Sequence, residues 1–348
     1  MLVIMDMNDK LHGFKNRRQK RLLMECEKQD GIYHVVTRTS CRRFLLNGDR
    51  EKAMFVALMR KQAAFCGVEI LAHCVMSNHV HLLVRVPYQE EVPDAVLIKR
   101  YRAMYEGSGL PAFALRLSEV ETILKRGGSD AKALRKRLMA RMGKLSVFVG
   151  ELKQRFSIWY NQVHKNKGTL WAERFRSQLI QDDVDALASV AAYIELNPIR
   201  AQMVKEPERY AYSSYGEAMG GGRIARRGIK YIFRQNSWKG AVERYRIWIY
   251  GKGYFAKGTV DKDQGRLDAD CVDAVLAREG KVELQEAIKC RVRYFIDGLA
   301  MGSREFVEGI FESNRSLFPE TRTSGARKLK HIHGQQFVLR DLQKNIIY

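Results

Sequence analysis

Residues 68–87 read VEILAHCVMSNHVHLLVRVP. Apolar and β-branched residues fill both halves, Ser77-Asn78 interrupts them, and Pro87 stops the second half. That pattern predicts two antiparallel strands joined by a tight turn. Upstream, REKAMFVALMRKQAAFCG (50–67) spaces its apolar residues at helical intervals and ends on Gly67, a natural C-terminal cap. Before it, GIYHVVTRT (31–39) alternates as a strand does. Strand, helix and hairpin in this order predict an α+β, ferredoxin-like antiparallel sheet with helices on one face.

Downstream, VPDAVLIKRYRAMYEG (92–107) reads as a helix, and residues 108–145, rich in Arg and Lys, as a basic helical insertion. LSVFVGELKQRFSIWYNQVHKNKG (145–168) is a long helix carrying aromatics, and TLWAERFRSQLIQ (169–181) a short strand. DDVDALASVAAYIELN (182–197) starts with acidic residues and lies just before Pro198, which marks a helix. GEAMGGGRIARRG (216–228) is the best linker candidate. The expected organisation is a basic arm at 1–27, one domain at 28–216 with its insertion, a Gly-rich linker at 217–229, and a helical region at 230–348. In that last region GSREFVEGIF (302–311) could serve DNA binding or simply packing.

The 348 residues, 46% hydrophobic, can bury a sizeable core, and no apolar run reaches the roughly 20 residues of a membrane span. At the N-terminus the charge follows the short apolar start instead of preceding it, which is the wrong order for a secretory signal, so an intracellular location is expected. Six cysteines without a CxxC pair argue against a zinc ribbon or a disulfide framework. The strongest global signal is charge: 61 Lys plus Arg against 39 Asp plus Glu, a net +22. That excess points to a polyanionic partner, nucleic acid first and a membrane surface second.

Chemistry concentrates in the hairpin. Two of only eight histidines, His79 and His81, fall one residue apart on a strand. They therefore share a face about 7 Å apart, with Val80 opposite. Each imidazole needs a partner, which a shared divalent metal would supply; the spacing alone equally allows one core and one surface histidine. Tyr193 and Asn197, four residues apart on a helix, also share a face. In so basic a protein this is a plausible setting for a tyrosyl oxygen attacking a phosphodiester, provided a metal polarises the phosphate. Arg174 and Arg176, alternating on the preceding strand, would hold the nucleic-acid backbone, and Trp171 and Phe175 would pack or stack on bases. His73, His164 and the tyrosines Tyr210, Tyr212 and Tyr215 read as structural. A second H-x-H, His331 and His333, lies in a polar basic stretch and reads as a solvated tail or a phosphate contact.

Taken together these blocks resemble a known family. MSNHVHLLV (76–84) is similar to the HUH signature, and GTLWAERFRS (168–177), YIELNPIRA (193–201) and YAYSSY (210–215) follow in the order seen in REP-associated tyrosine transposases. These belong to the single-tyrosine HUH transposase superfamily. The resemblance spans about 28–216 and departs where Ser77 replaces the usual proline. It implies His79 and His81 as metal ligands, Asn197 as an amide-type third ligand, and Tyr193 as the nucleophile that forms a 5′-phosphotyrosine link. It further implies Mg²⁺ or Mn²⁺, the ligand set leaning slightly to Mn²⁺. The implied substrate is single-stranded hairpin DNA from palindromic repeats, and the protein would act near a bacterial nucleoid as monomer or homodimer. No phosphate-binding G-x-x-x-x-G-K-[ST] loop is present, in line with a reaction that needs no ATP. Two other readings stay open: a non-catalytic binder of structured nucleic acid, and phosphoester hydrolysis by the histidines without a covalent step.

Overall fold

The computed structural model describes residues 28–107, 114–250, 282–283, 298–329, 332–333 and 336–340. The N-terminal basic arm, residues 108–113 of the insertion, His331 and most of 251–297 lie outside the described residues.

The elements expected at the start of the chain form where the pattern places them. Strand β1 (Gly31–Arg38) is followed by helix α1 (Asp49–Cys66), then strands β2 (Glu69–Val75) and β3 (His79–Val86). Gly67 takes the left-handed conformation (φ 70°) that caps α1, its N–H reaching the carbonyl of Ala63. Strand β1 pairs antiparallel with β3 on one side and with β4 (Arg176–Ile180) on the other. Val36 lies opposite His81 on β3 and opposite Arg176 on β4.

The sheet is wider and better covered than the one-faced layer expected from the sequence. It has seven strands in the order β2-β3-β1-β4-β6-β9-β7, with β6 (Gly298–Gly302), β7 (Ala326–Lys328) and β9 (Phe337–Arg340) drawn from the C-terminal region. Strands β5 (Val282–Glu283) and β8 (Ile332–His333) pair separately. Helices cover both faces. Tyr33, Val35, Leu82 and Val84 point into one core with Phe55 and Met59 of α1, with α2 (Asp94–Tyr105), and with Phe148 and Phe156 of α5 (Leu145–His164). The alternate residues Ile32 and Leu83, with Ile180 of β4, point into a second core. There they meet α6 (Val184–Glu195), α8 (Ser214–Met219), α9 (Arg223–Ile232) and α10 (Trp238–Tyr250). Between them, α3 (Leu117–Arg126) and α4 (Gly128–Met139) make the insertion helical, as expected, and α7 (Asn197–Arg200) is a single turn.

Two stretches differ from expectation. The Gly-rich segment 217–229 is not a linker: it lies within α8 and α9 and packs on β2. Gly228 sits there so close that a Cβ would fall 2.4 Å from the Leu71 carbonyl oxygen, which makes the glycine a packing residue. The described part of 298–340 is mainly strand around one helix, α11 (Arg304–Ser313), and its Leu299, Ala300, Val307, Phe311 and Leu339 join the first core. Short strands rich in Gly, Ala and Met (GLAMG, 298–302) carry little alternation, so their β character is hard to read from sequence.

Candidate active site

The β2–β3 turn is closed by Met76 N donating to His79 O at 2.9 Å, so Ser77 serves where proline is usual. The turn is locked to the loop after β1. Asn78 O accepts from both the N–H and the hydroxyl of Thr39 at 3.0 Å, Ser77 O accepts from Leu46 N at 2.9 Å, and Asn78 Nδ2 donates to Arg42 O at 3.2 Å. The start of β3, where the paired histidines stand, is therefore held from two sides.

His79 is half-buried and hydrogen-bonds through Nδ1 to Asn78 Oδ1 at 2.7 Å. His81 is buried and bonds through Nδ1 to Nε2 of His34 on β1 at 3.0 Å; the two rings stack with centroids 5.3 Å apart. The rings of His79 and His81 stand 5.0 Å apart. Burial, reinforced by His79, His34, Arg200 and Arg38, holds His81 well below the usual histidine range, so its ring is neutral and keeps a lone pair for a ligand.

Tyr193 arrives from α6. Asp183 caps this helix by accepting from Ala186 N at 2.9 Å, and every residue from Ala186 to Glu195 is buried. A helix apolar all round belongs between layers, here the sheet and the outer helices α9 and α10. The Tyr193 ring stands edge-on to His81 (centroids 5.7 Å) and to His34 (5.9 Å). The helix stops at Glu195, earlier than expected, and the chain runs through Leu196 in helical conformation into α7. Asn197 thus stays one turn beyond Tyr193. Its Nδ2 donates to the carbonyls of Tyr193 (3.0 Å) and Ile194 (3.2 Å), which turns Oδ1 away from the helix end. Arg200 donates to the Tyr193 carbonyl at 2.6 Å and lays its guanidinium 4.4 Å from the Tyr193 ring centroid.

His79, His81, Tyr193 and Asn197 line one cavity of about 480 Å³, together with Arg38, Arg42 and Phe44. A ring nitrogen from each of the two histidines and an amide oxygen, each on a side chain whose other polar atom is already bonded, suit a divalent cation that accepts mixed N and O ligands. Among the described residues no three His, Cys, Asp or Glu side chains gather as a metal group.

The DNA-contact candidates do not join this cavity. Arg176 is exposed on β4 with its guanidinium 3.7 Å from Glu173, and Arg174 is exposed in the loop before the strand, so the two do not alternate on one strand face. Trp171 is a core residue. Its indole N–H donates to Ser157 Oγ (2.9 Å) and Lys153 O (3.2 Å), and its ring packs against Phe55 and Phe156. A base cannot stack on it. Sequence reasoning missed His34, Arg200, Arg38, Arg42 and Phe44. For His34 and Arg38 the parity of GIYHVVTRT was a usable signal, once β1 is taken as the neighbour of β3.

His73 and Tyr210 are buried and bonded within the protein. His73 Nδ1 and Ser214 Oγ are 2.7 Å apart in the buried interior, and the Tyr210 hydroxyl donates to Val75 O at 2.7 Å. No helix among the described residues is long and apolar enough to cross a membrane.

No curated protein matches the chain. Among solved structures, one titled as the REP-associated tyrosine transposase bound to a REP hairpin aligns with 16% identity over 56% of this chain and 82% of its own, at a TM-score of 0.35. Residues 27–105, which supply β1, α1, the β2–β3 hairpin and both candidate histidine ligands, match the family model described as "Transposase IS200 like", and over that segment the resemblance read from the sequence is borne out.

Proposed function

We propose that the protein is a metal-dependent transposase that nicks and rejoins single-stranded hairpin DNA through Tyr193. The observation that carries this reading is the edge-on placement of Tyr193 over His81 inside a cavity shared with His79 and Asn197. The family match over 27–105 and the net charge of +22 support it.

In this reading His79, His81 and Asn197 would hold a Mg²⁺ or Mn²⁺ ion, which when bound supplies Lewis-acid polarisation of the scissile phosphate. His34 fixes the His81 ring, and Asn78 fixes His79. Tyr193 Oη forms a bond to phosphorus as the P–O3′ bond breaks. The phenolic proton leaves to solvent and the 3′ oxygen takes one up, which yields a 3′-hydroxyl and a 5′-phosphotyrosine. Reversal by another 3′-hydroxyl rejoins DNA, because the aryl phosphate conserves the bond energy. Arg200 keeps positive charge beside the Tyr193 ring, and Arg38 and Arg42 offer charge to the flanking phosphates.

Incubation of the full chain with end-labelled hairpin DNA and Mn²⁺, followed by denaturing electrophoresis, tests this. A labelled covalent adduct is expected from the wild type and none from Tyr193→Phe. Cleavage that persists in Tyr193→Phe would replace the covalent route with hydrolysis, and binding without cleavage would make the protein a binder.

A further inference from the structure

Phe44 is the most exposed large apolar residue described, with 68% of its surface open. It lines the cavity that holds Tyr193 and the histidines, as does Met203, also partly open at 37%. A single exposed apolar side chain is ordinary on a protein surface; what sets this one apart is that it lines the cavity of the candidate site residues together with Met203 and two arginines.

The loop that carries it is tied down by hydrogen bonds. Thr39 Oγ1 donates to Arg43 O at 2.6 Å, Arg42 N to Thr39 O at 3.2 Å, and Leu45 N to Arg43 O at 2.9 Å. Asn78 Nδ2 ties the Arg42 carbonyl to the β2–β3 turn, and fully buried Leu46 anchors the chain two residues after Phe44. Cys41 and Arg42 both adopt positive φ (53° and 54°), a conformation that non-glycine residues hold only where the surroundings impose it. The ring is thus presented on a fixed platform.

Its surroundings are cationic. Arg38, Arg42 and Arg43 are exposed around it and form no ion pair among the described residues. An apolar partner segment would gain nothing from three such charges, and a bare phosphate would gain nothing from the ring. A ligand that offers a flat π-face and an anion a few ångströms apart uses both, and an unpaired nucleotide is that ligand.

We propose that Phe44 is the stacking platform for one unpaired base of the single strand that leads into the cavity, with Met203 beside it, and that it positions the strand so that a neighbouring phosphate reaches Tyr193. This rests on the nicking function proposed above and adds a positioning residue to it.

The test uses the non-cleaving Tyr193→Phe chain and a DNA hairpin with a single-stranded extension, scanned with 2-aminopurine one position at a time. One position is expected to lose fluorescence on binding. In the Tyr193→Phe chain, adding Phe44→Ala should restore that fluorescence and weaken binding about 5- to 150-fold, the range for losing one base–aromatic stack. Adding Phe44→Trp should keep both signals, and affinity for a blunt hairpin lacking the extension should not change. Unchanged quenching and affinity in the Phe44→Ala chain would overturn the inference, even while the wild type forms its covalent adduct. Failure of the extension to bind any of the chains would overturn this inference and the proposed function together, whereas an adduct lost only in Tyr193→Phe with Phe44 inert would leave the nicking reading standing.

Discussion

His34 on β1 and His81 on β3 share a hydrogen bond of 3.0 Å between ring nitrogens, buried beneath Tyr193. The bond decides which nitrogen of His81 faces the cavity, and metal-binding histidines are commonly fixed in this way by a partner on the other nitrogen. His34→Ala is expected to weaken Mn²⁺ binding about 10- to 100-fold, the usual cost of losing such a partner. Calorimetric titration with Mn²⁺ checks this, and unchanged affinity would remove His34 from the site.

A cation that binds only the native site raises thermal stability by mass action. Mn²⁺ should therefore raise the Tm of the wild type, and the shift should disappear in His79→Ala and in His81→Ala. Chelation should abolish the covalent DNA adduct and added Mn²⁺ restore it. A Tm shift that survives in both variants would locate the metal elsewhere.

Trp171→Ala should act on stability and not on DNA. Loss of a buried indole packed on Phe55 and Phe156 costs about 3–5 kcal/mol. Chemical denaturation should show that loss, with Trp171→Phe recovering most of it. A Trp171→Ala chain with wild-type stability but weakened DNA binding would return this residue to the interface.

Two buried groups give opposite slopes of stability with pH. Burial, with Arg60 adding, pushes His73 down to about 3, so the native state resists a proton that the unfolded chain accepts near pH 6.5. Stability is then complete above pH 6.5 and falls by up to about 1.4 kcal/mol per unit as pH drops toward 3. Burial pushes the Glu195 carboxyl up to about 8, with Glu217 adding, so the native state keeps a proton that the unfolded chain releases above about 4.5. That contribution is complete below pH 4.5 and is lost as pH rises toward 8. His73→Asn should flatten the acid limb and Glu195→Gln the limb between 4.5 and 8. Denaturant midpoints measured across pH decide, and parallel curves for variant and wild type would contradict both assignments.

How much of this was legible varies with how local the information is. The hairpin of residues 68–87 could be read because turn, alternation and Pro87 all lie within twenty residues. Parity then put His79 and His81 on one face without further help. Tyr193 and Asn197 were reachable because helical spacing survives the break at Leu196. His34 was not, since its meeting with His81 depends on the β1–β3 register, a long-range pairing. Trp171 was misjudged because an aromatic beside arginines looks the same in sequence whether it faces Ser157 or a base. The glycines of 217–229 looked like a linker, whereas Gly228 is there because a backbone passes too close for any side chain.

The parallel pairing of β4 with β6 carries one more consequence. Leu179 and Ile180 meet Ala300 and Met301, and Gln181 N donates to Met301 O at 3.0 Å, so residues over a hundred positions apart complete the ladder on the strand that precedes α6. A chain cut after residue 216 would leave β4 as a bare edge with its amides and carbonyls open to solvent. Such an edge recruits strands from other molecules. A truncated protein would be expected to self-associate through β4, which the full-length chain prevents by keeping β6 on that edge.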